Sequence, residues 1–187
     1  MAKKFDRIAL SHRSFIEAQH MFFVATAAAS GRVNNSPKGM DSLRILGPNR
    51  ILWRNSTGSG NETAGHLLLD PRITLMWCAF DVQPLILRCY GTAKAIHIGE
   101  EGWDEGQALF PYDIAARQLF DVSVDLVQTS CGYSVPRMGY EGVRPDADAW
   151  TAAKGAQGIA QYWDDTNRAT LDGFPTGIEA NLPETQP

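Results

Sequence analysis

The chain has 187 residues, 44% of them hydrophobic and 20% charged, with a formal net charge of −4. These values fit a single globular domain long enough to bury a sizeable core. No basic run occurs, which argues against a nucleic-acid partner, whose phosphates demand a Lys/Arg face.

The opening MAKKFDRIALSHRSF lacks the apolar core of a signal peptide, and no apolar run reaches membrane-spanning length. The expectation is a cytoplasmic protein with no membrane partner. Ser14 and Glu17 are spaced as a capping box for a short helix ending near His20. MFFVATAAA (21–29) reads as a strand with SGR as its turn, and VNNSPKGMD continues as an irregular, proline-bearing strand toward LRILG. Pro48-Asn49 turns into RILWRN, a strand with Ile51, Trp53 and Asn55 on one face.

RNSTGSGNETAGHLL (54–68) then reads as a strand end, a glycine-bearing turn and a helix start. Such a turn can seat an anion on the helix N-terminus, where free N–H groups and the helix dipole favour negative charge. It is not a Walker A loop, since no Lys-Ser or Lys-Thr pair follows Gly60. Nor is it a dinucleotide fingerprint, since Thr63 stands where a third glycine is needed. Ser59 and Glu62 are spaced as a second capping box, Ala64, Leu67 and Leu68 form a buried stripe, and Asp70-Pro71 stops the helix.

RITLMWCAF is a nearly continuous apolar strand, as expected where both faces are covered. LILRCYGTAKAIHI alternates, with Arg88, Tyr90, Thr92 and Lys94 on one face and Cys89, Gly91, Ala93 and Ala95 on the other. EEGWDEGQALF reads as helical, DIAARQLF fits either state, and VSVDLVQTSCGYSVP is the last long strand. From Asp146 the spacing of Trp150, Ala153, Ala156, Ile159 and Trp163 predicts a helix weakened by Gly155 and Gly158. A polar, irregular tail follows. The reading is α+β, mainly β with inserted helices. Six or so antiparallel strands form a closed or nearly closed barrel over 1–145, and the helix and tail of 146–187 pack on the same domain.

Several side chains bear on chemistry. Lys38 in SPKG sits beside a proline that cannot donate to a ladder; it is either a solvated lysine or a cation for a phosphate brought by a neighbouring loop. Ser59 and Asn61 either cap the helix or donate to an anion. Val122, Val124 and Leu126 share a face, and continuing that parity turns Gln128 and Ser130 inward. There they line a pocket or satisfy backbone at the barrel end. Cys78, Cys89 and Cys131 lack any CxxC pairing and read as reduced thiols. His12, His20, His66 and His97 form no ligand cluster, so no metal is expected. The five tryptophans are spread out as core or interface residues, not as a stacking platform.

In combination and order, these segments resemble the FMN-binding split-barrel proteins of the pyridoxamine 5'-phosphate oxidase-like group. FFVATAAASGRVNNSPKGMD is similar to their first hairpin, RILWRNSTGSGNETAGHLLLDPRITLMWCAF to the strand, phosphate loop, helix and strand that follow, and LILRCYGTAKAIH to the next long strand with its central glycine. The resemblance covers about residues 15 to 135. It implies that the SPKG segment (Ser36, Pro37, Lys38, Gly39) meets the cofactor, with Lys38 on the FMN phosphate. Trp53, Arg54 and Asn55 would lie beside the flavin and ribityl chain, and Ser59, Gly60 and Asn61 would take the phosphate loop. Gln128, with Ser130 beyond it, would close over the flavin. It also implies a homodimer with the flavin at its interface.

The departures are informative. Gly60 and Asn61 stand where the oxidase proper has an Arg-Lys pair, Ile86 replaces a flavin-facing glutamine, and an acidic Ala/Gly-rich tail replaces the basic C-terminal segment that grips the pyridoxine phosphate. The implied function is therefore an FMN-binding oxidoreductase acting on another small-molecule substrate. The alternative is a non-enzymatic flavin- or haem-binding carrier or sensor. A deazaflavin reductase would call for more basic residues than the chain has. No general acid or base can be named; His97 and Tyr133 only titrate or donate.

Overall fold

The computed structural model describes residues 2–182; the last part of the expected tail, 183–187, lies outside the described residues. In chain order the elements are β1 (Lys3–Phe5), α1 (Leu10–Glu17), β2 (Phe22–Thr26), β3 (Asn34–Lys38), β4 (Leu43–Gly47) and β5 (Arg50–Ser56). There follow α2 (Glu62–Leu69), β6 (Arg72–Cys78), β7 (Leu85–Ile96), α3 (Trp103–Gln107), β8 (Ala116–Cys131), α4 (Asp146–Thr166) and a 3-10 turn at Ile178–Asn181.

The strands form one antiparallel sheet in the order β3-β2-β6-β7-β8-β5-β4, with β1 added on β8. Its edges, β3 and β4, are consecutive in the chain and joined only by residues 39–42. That link reaches about 17 Å at full extension, so the sheet must curl until its edges approach. The result is a split barrel. Its interior holds Val24, Ile51, Leu75, Leu87, Phe120 and Val127, with Trp53 stacked on Phe120 at 4.7 Å. Outside the barrel, α3 adds a second cluster of Trp103 and Phe110 over Leu52 and Leu119.

Several local expectations need correction. The first helix begins at Leu10, with Ala9 as N-cap; Ser14 sits mid-helix, its hydroxyl donating back to the Leu10 carbonyl at 3.1 Å. A serine satisfied this way imitates a capping signal in sequence. In α2 the N-cap position falls to Asn61 with no side-chain cap, and Glu62 Oε1 accepts the Leu171 amide instead of closing a box on Ser59. β6 is not covered on both faces: Ile73, Leu75 and Trp77 are buried, while Thr74, Met76 and Cys78 are half-buried on an outer face. The helix after His97 is only the short α3.

β8 differs most. It starts at Ala116, six residues before the expected strand, and carries two irregularities. Asn55 pairs with Gln118 and Ser56 with Ala116, so Arg117 is an extra residue. Tyr90 pairs with Leu126 and Gly91 with Val124, so Asp125 is a second. The second bulge reverses the alternation. Val122 and Val124 face the interior, then Val127 does, and Gln128 and Ser130 turn to the outer face. There Gln128 accepts the Tyr90 hydroxyl at 3.2 Å and Ser130 accepts an Arg88 N–H at 3.4 Å. Opposite this bulge a Cβ on Gly91 would overlap the Ser123 carbonyl oxygen, so the central glycine of β7 is sterically required.

α4 breaks at Gly155 (φ 62°, ψ 176°). Its second half packs through Ile159 and Trp163 against Ala115 and Ile178, whereas Trp150, before the break, is 37% exposed. Residues 167–182 then return across α2, burying Thr170, Thr176 and Ile178. Among the described residues no helix is long and apolar enough to cross a membrane.

Candidate functional site

A cleft of about 340 Å³ opens where β3 faces the start of α2. Asn34, Ser36, Pro37 and Lys38 line it from β3; Gly58 to Asn61, Glu62 and Thr63 line it from the loop and first turn of α2. Asn55 and Arg117 close it from β5 and β8. Pro37 is tolerated because β3 is an edge strand. A buried polar chain fixes β3 against α2. The Ser36 hydroxyl donates to Asn34 Oδ1 at 2.7 Å, and Asn34 Nδ2 lies 3.2 Å from both the Thr26 and Thr63 hydroxyl oxygens.

Two cations meet here. Arg117 is 2% exposed and makes all its contacts with neutral acceptors. Its Nε donates to Gln118 Oε1 at 3.1 Å, and its terminal nitrogens donate to Asn167 Oδ1 at 2.6 Å, Gly60 O at 3.0 Å and Gly58 O at 3.3 Å. Burial pushes its pKa down to about 10. Lys38 is half-buried, with Nζ 5.3 Å from the centre of the Trp53 ring. Burial first, and then the charge of Arg117, lower its pKa to about 8. Glu62 is the one carboxylate lining the cleft among the described residues, and its Oε1 is engaged by Leu171.

The first bulge explains how Arg117 arrives. An extra residue in one strand of a pair bends that strand and re-aims its side chains. Arg117 then braces the loop from beneath by taking two of its carbonyls. Among the described residues, the amides of Gly58 to Asn61 donate to no protein acceptor. The first amides of α2 have no intrahelical partner either. Two cations and a set of free amides converge on one cleft. Its chemistry is that of an anion receptor.

The structure brings Ser36, Pro37, Lys38, Asn55, Ser59, Gly60 and Asn61 together around this cleft. It does not bring Gly39, Trp53, Arg54, Gln128 or Ser130 to its lining. Gly39 faces a separate cleft beside His20 and Asp41. Trp53 is buried beneath Lys38. Arg54 lies beside Phe110, 5.0 Å from its ring centre, and donates to the Pro111 carbonyl. His97 is tied to Asn181 at 3.2 Å, and Tyr133 is 81% exposed; neither lines the cleft. Two polar residues escape a sequence reading. Arg117 had a signal, a cation inside the apolar stretch AARQLF, but only once that stretch is placed in a strand. Asn167 had none.

Residues 10–131 match the family described as pyridoxamine 5'-phosphate oxidase. The chain belongs to this family. A family member from Aspergillus flavus, the pyridoxamine 5'-phosphate oxidase family protein ustO, is 35% identical over 130 residues, covering 66% of this chain and 52% of that protein. The chain thus spans about half the length of this curated relative. Among solved structures, a HupZ variant of Group A Streptococcus superposes with a TM-score of 0.53 at 19% identity, covering 66% of this chain and 99% of that one. A candidate pyridoxamine 5'-phosphate oxidase from Lactobacillus delbrueckii superposes with a TM-score of 0.52 at 13% identity, covering 66% and 94%. These share the fold. Within the matched stretch lie Lys38, the 58–61 loop and Arg117; Asn167 is outside it. In this member, positive charge comes from β3 and β8 rather than from an Arg-Lys pair after the loop serine.

Proposed function

We propose that the cleft holds the terminal phosphate of FMN and that the protein is an FMN-dependent oxidoreductase acting on a small molecule other than pyridoxamine 5'-phosphate. One observation carries this reading: a buried guanidinium and a half-buried ammonium share a cleft in which, among the described residues, neither has a carboxylate partner. A buried charge without a counter-ion is costly, and a bound phosphate supplies one. Lys38, Arg117, Ser59 and the loop amides would hold the phosphate, with Asn55 and Asn61 beside it. FMN would supply hydride or electron transfer; this chain supplies binding, orientation and electrostatics. The cleft volume is at the lower end of the roughly 300–1,000 Å³ of small-molecule sites, which suits a mononucleotide phosphate better than an adenylate.

The proposal includes a homodimer with the flavin at its interface. Its support is the half-buried outer face carrying Met76, Tyr90, Leu126 and Gln128, a face a second copy would cover. A haem in this cleft is disfavoured, because no histidine, cysteine, methionine or tyrosine lines it among the described residues. A second reading, a flavin carrier without turnover, draws support from the lining's titratable groups, which among the described residues are Lys38, Glu62 and Arg117. None of them is a ready proton donor or acceptor once Lys38 and Arg117 hold the phosphate and Glu62 the Leu171 amide. Rapid oxidation of reduced nicotinamide by the holoprotein supports the enzyme; bound flavin that reduces slowly supports the carrier. The phosphate reading is tested by titrating the apoprotein with FMN and with riboflavin. Tighter binding of FMN is expected. Equal affinities overturn it.

A further inference from the structure

We infer that Asn167 is a positioning residue of the anion site, holding Arg117 and the 58–61 loop in register while leaving the arginine charge uncancelled. The inference rests on the phosphate reading of the cleft. Asn167 is 0% exposed and lies beyond the stretch matched by the family. Its Oδ1 accepts from Arg117 at 2.6 Å, its Nδ2 donates to the Gly58 carbonyl at 3.1 Å, and its own carbonyl accepts the Thr176 hydroxyl at 2.6 Å. One residue therefore joins three parts: its side chain ties the cation to the loop, and its backbone carbonyl holds the returning C-terminal segment.

The amide is the group this place requires. It must present an acceptor to a guanidinium and a donor to a carbonyl, and a carboxylamide offers both without charge. An aspartate of the same shape would bind Arg117 more strongly but would neutralise it, and it would set an oxygen against the Gly58 carbonyl. The neutral residue keeps the positive field for a ligand. Its placement is secured from both sides. Trp163 Nε1 donates to the Thr57 hydroxyl at 2.7 Å, and Thr170 packs so tightly on α2 that a Cβ at Gly65 would overlap its methyl group. The segment outside the shared family stretch thus completes the site made by that stretch.

The test compares wild type with Asn167→Asp, using FMN, riboflavin and inorganic phosphate as probes. Asn167→Asp is expected to weaken FMN binding at least about tenfold, the value of one charge-assisted contact, and to leave riboflavin binding within about threefold. Thermal stabilisation of the apoprotein by inorganic phosphate should disappear, while its unliganded Tm holds or rises. An FMN-to-riboflavin ratio equal to that of wild type overturns the inference. So does an equal loss of both flavins with a lowered apoprotein Tm, which marks Asn167 as a support of the fold only. If Asn167→Asp does not fold, Asn167→Ser serves: it is too short to reach both neighbours, and FMN affinity should drop about three- to tenfold relative to riboflavin. An unchanged ratio there overturns the inference as well. Should wild type bind both flavins alike yet gain Tm from phosphate in an Asn167-dependent way, the flavin reading fails and the positioning role stands.

Discussion

The two ends of β8 carry the same backbone device and use it differently. At the start of the strand the extra residue is Arg117, and its side chain becomes the buried wall of the cationic cleft. Near the other end the extra residue is Asp125, which is exposed at the edge of an open cleft whose one cation among the described residues, Arg72, is already paired with Asp70. What changes there is the parity of everything downstream, so that Val127 rather than Leu126 faces the interior beside Cys89. One bulge aims a side chain, the other rotates a strand. An unpaired residue in a ladder is therefore not by itself a functional sign. The sign is a polar side chain carried into a place where its charge has no counter-ion.

The sharpest way to break the contrast is at the second bulge. Gly91 faces the Ser123 carbonyl so closely that a methyl group cannot fit, and the obstacle is backbone rather than a flexible side chain. Gly91→Ala is expected to cost about 3 kcal/mol or more, toward the upper end of overpacking penalties, and to lower Tm on the order of 10 °C. Circular dichroism melts of the apoprotein measure this. A Tm close to wild type would mean that β7 and β8 do not pair with that offset.

At the first bulge the loss should appear in binding. Arg117→Met removes the buried guanidinium while keeping much of its volume. FMN affinity should fall by about 1.5–3 kcal/mol or somewhat more, because the direct contact and the brace on Gly58 and Gly60 vanish together. Apoprotein stability should move little, since relief of a buried charge opposes the lost hydrogen bonds. Isothermal titration with FMN and riboflavin separates the two: a variant with lower Tm and an unchanged flavin ratio would make Arg117 a structural residue.

The legibility of the chain follows the same division. The strand, loop, helix and strand from RILWRN to RITLMWC were readable because each turn carries glycine or proline and each strand its apolar run. Lys38 and the 58–61 loop could be proposed as one site from SPKG and STGSGN. The bulges were not readable. Nothing within β8 marks the one at Asp125, because the glycine that goes with it, Gly91, stands on β7. A strict period of two carried past that bulge puts Gln128 on the wrong face. Arg117 was lost because AARQLF has the composition of either helix or strand, and only its pairing with β5 decides. Asn167 depends on a chain reversal after α4, which local patterning does not encode.

Lys38 gives the next effect in size. Lys38→Ala should weaken FMN by about 1.5–3 kcal/mol, roughly ten- to a hundredfold, without loss of fold, because it braces no loop. The same lysine predicts two pH slopes of opposite sign. Its folded pKa, about 8, lies below its ordinary value of 10.5 because burial disfavours the charge. Between these values the unfolded chain binds more protons than the folded one, so apoprotein stability rises as pH increases through this window. FMN affinity should fall over the same range as the ammonium is lost. Both slopes should flatten in Lys38→Met. An FMN affinity constant from pH 7 to 10 returns Lys38 to a solvated surface role.

The smallest effect overall is expected at Gln128, on the outer face that the second bulge creates. It is half-buried and bonded to the Tyr90 hydroxyl, a pair whose loss costs about 0.5–1 kcal/mol because Tyr90 is also half-buried. Gln128→Leu should therefore shift Tm by only a few degrees. Its proposed role in flavin binding now has a geometric condition. Gln128 points away from the interior and does not line its own chain's cationic cleft, so in the proposed dimer it would meet the flavin across the interface. In that arrangement the variant changes the reduction potential of bound FMN while leaving the FMN-to-riboflavin ratio, set by Arg117 and Lys38, as it was. Light scattering of the holoprotein beside a redox titration reads both conditions. A dimer with an unshifted potential removes Gln128 from the site and leaves it as a partner for Tyr90. A monomer that still holds FMN removes it too, and with it the need for a second copy.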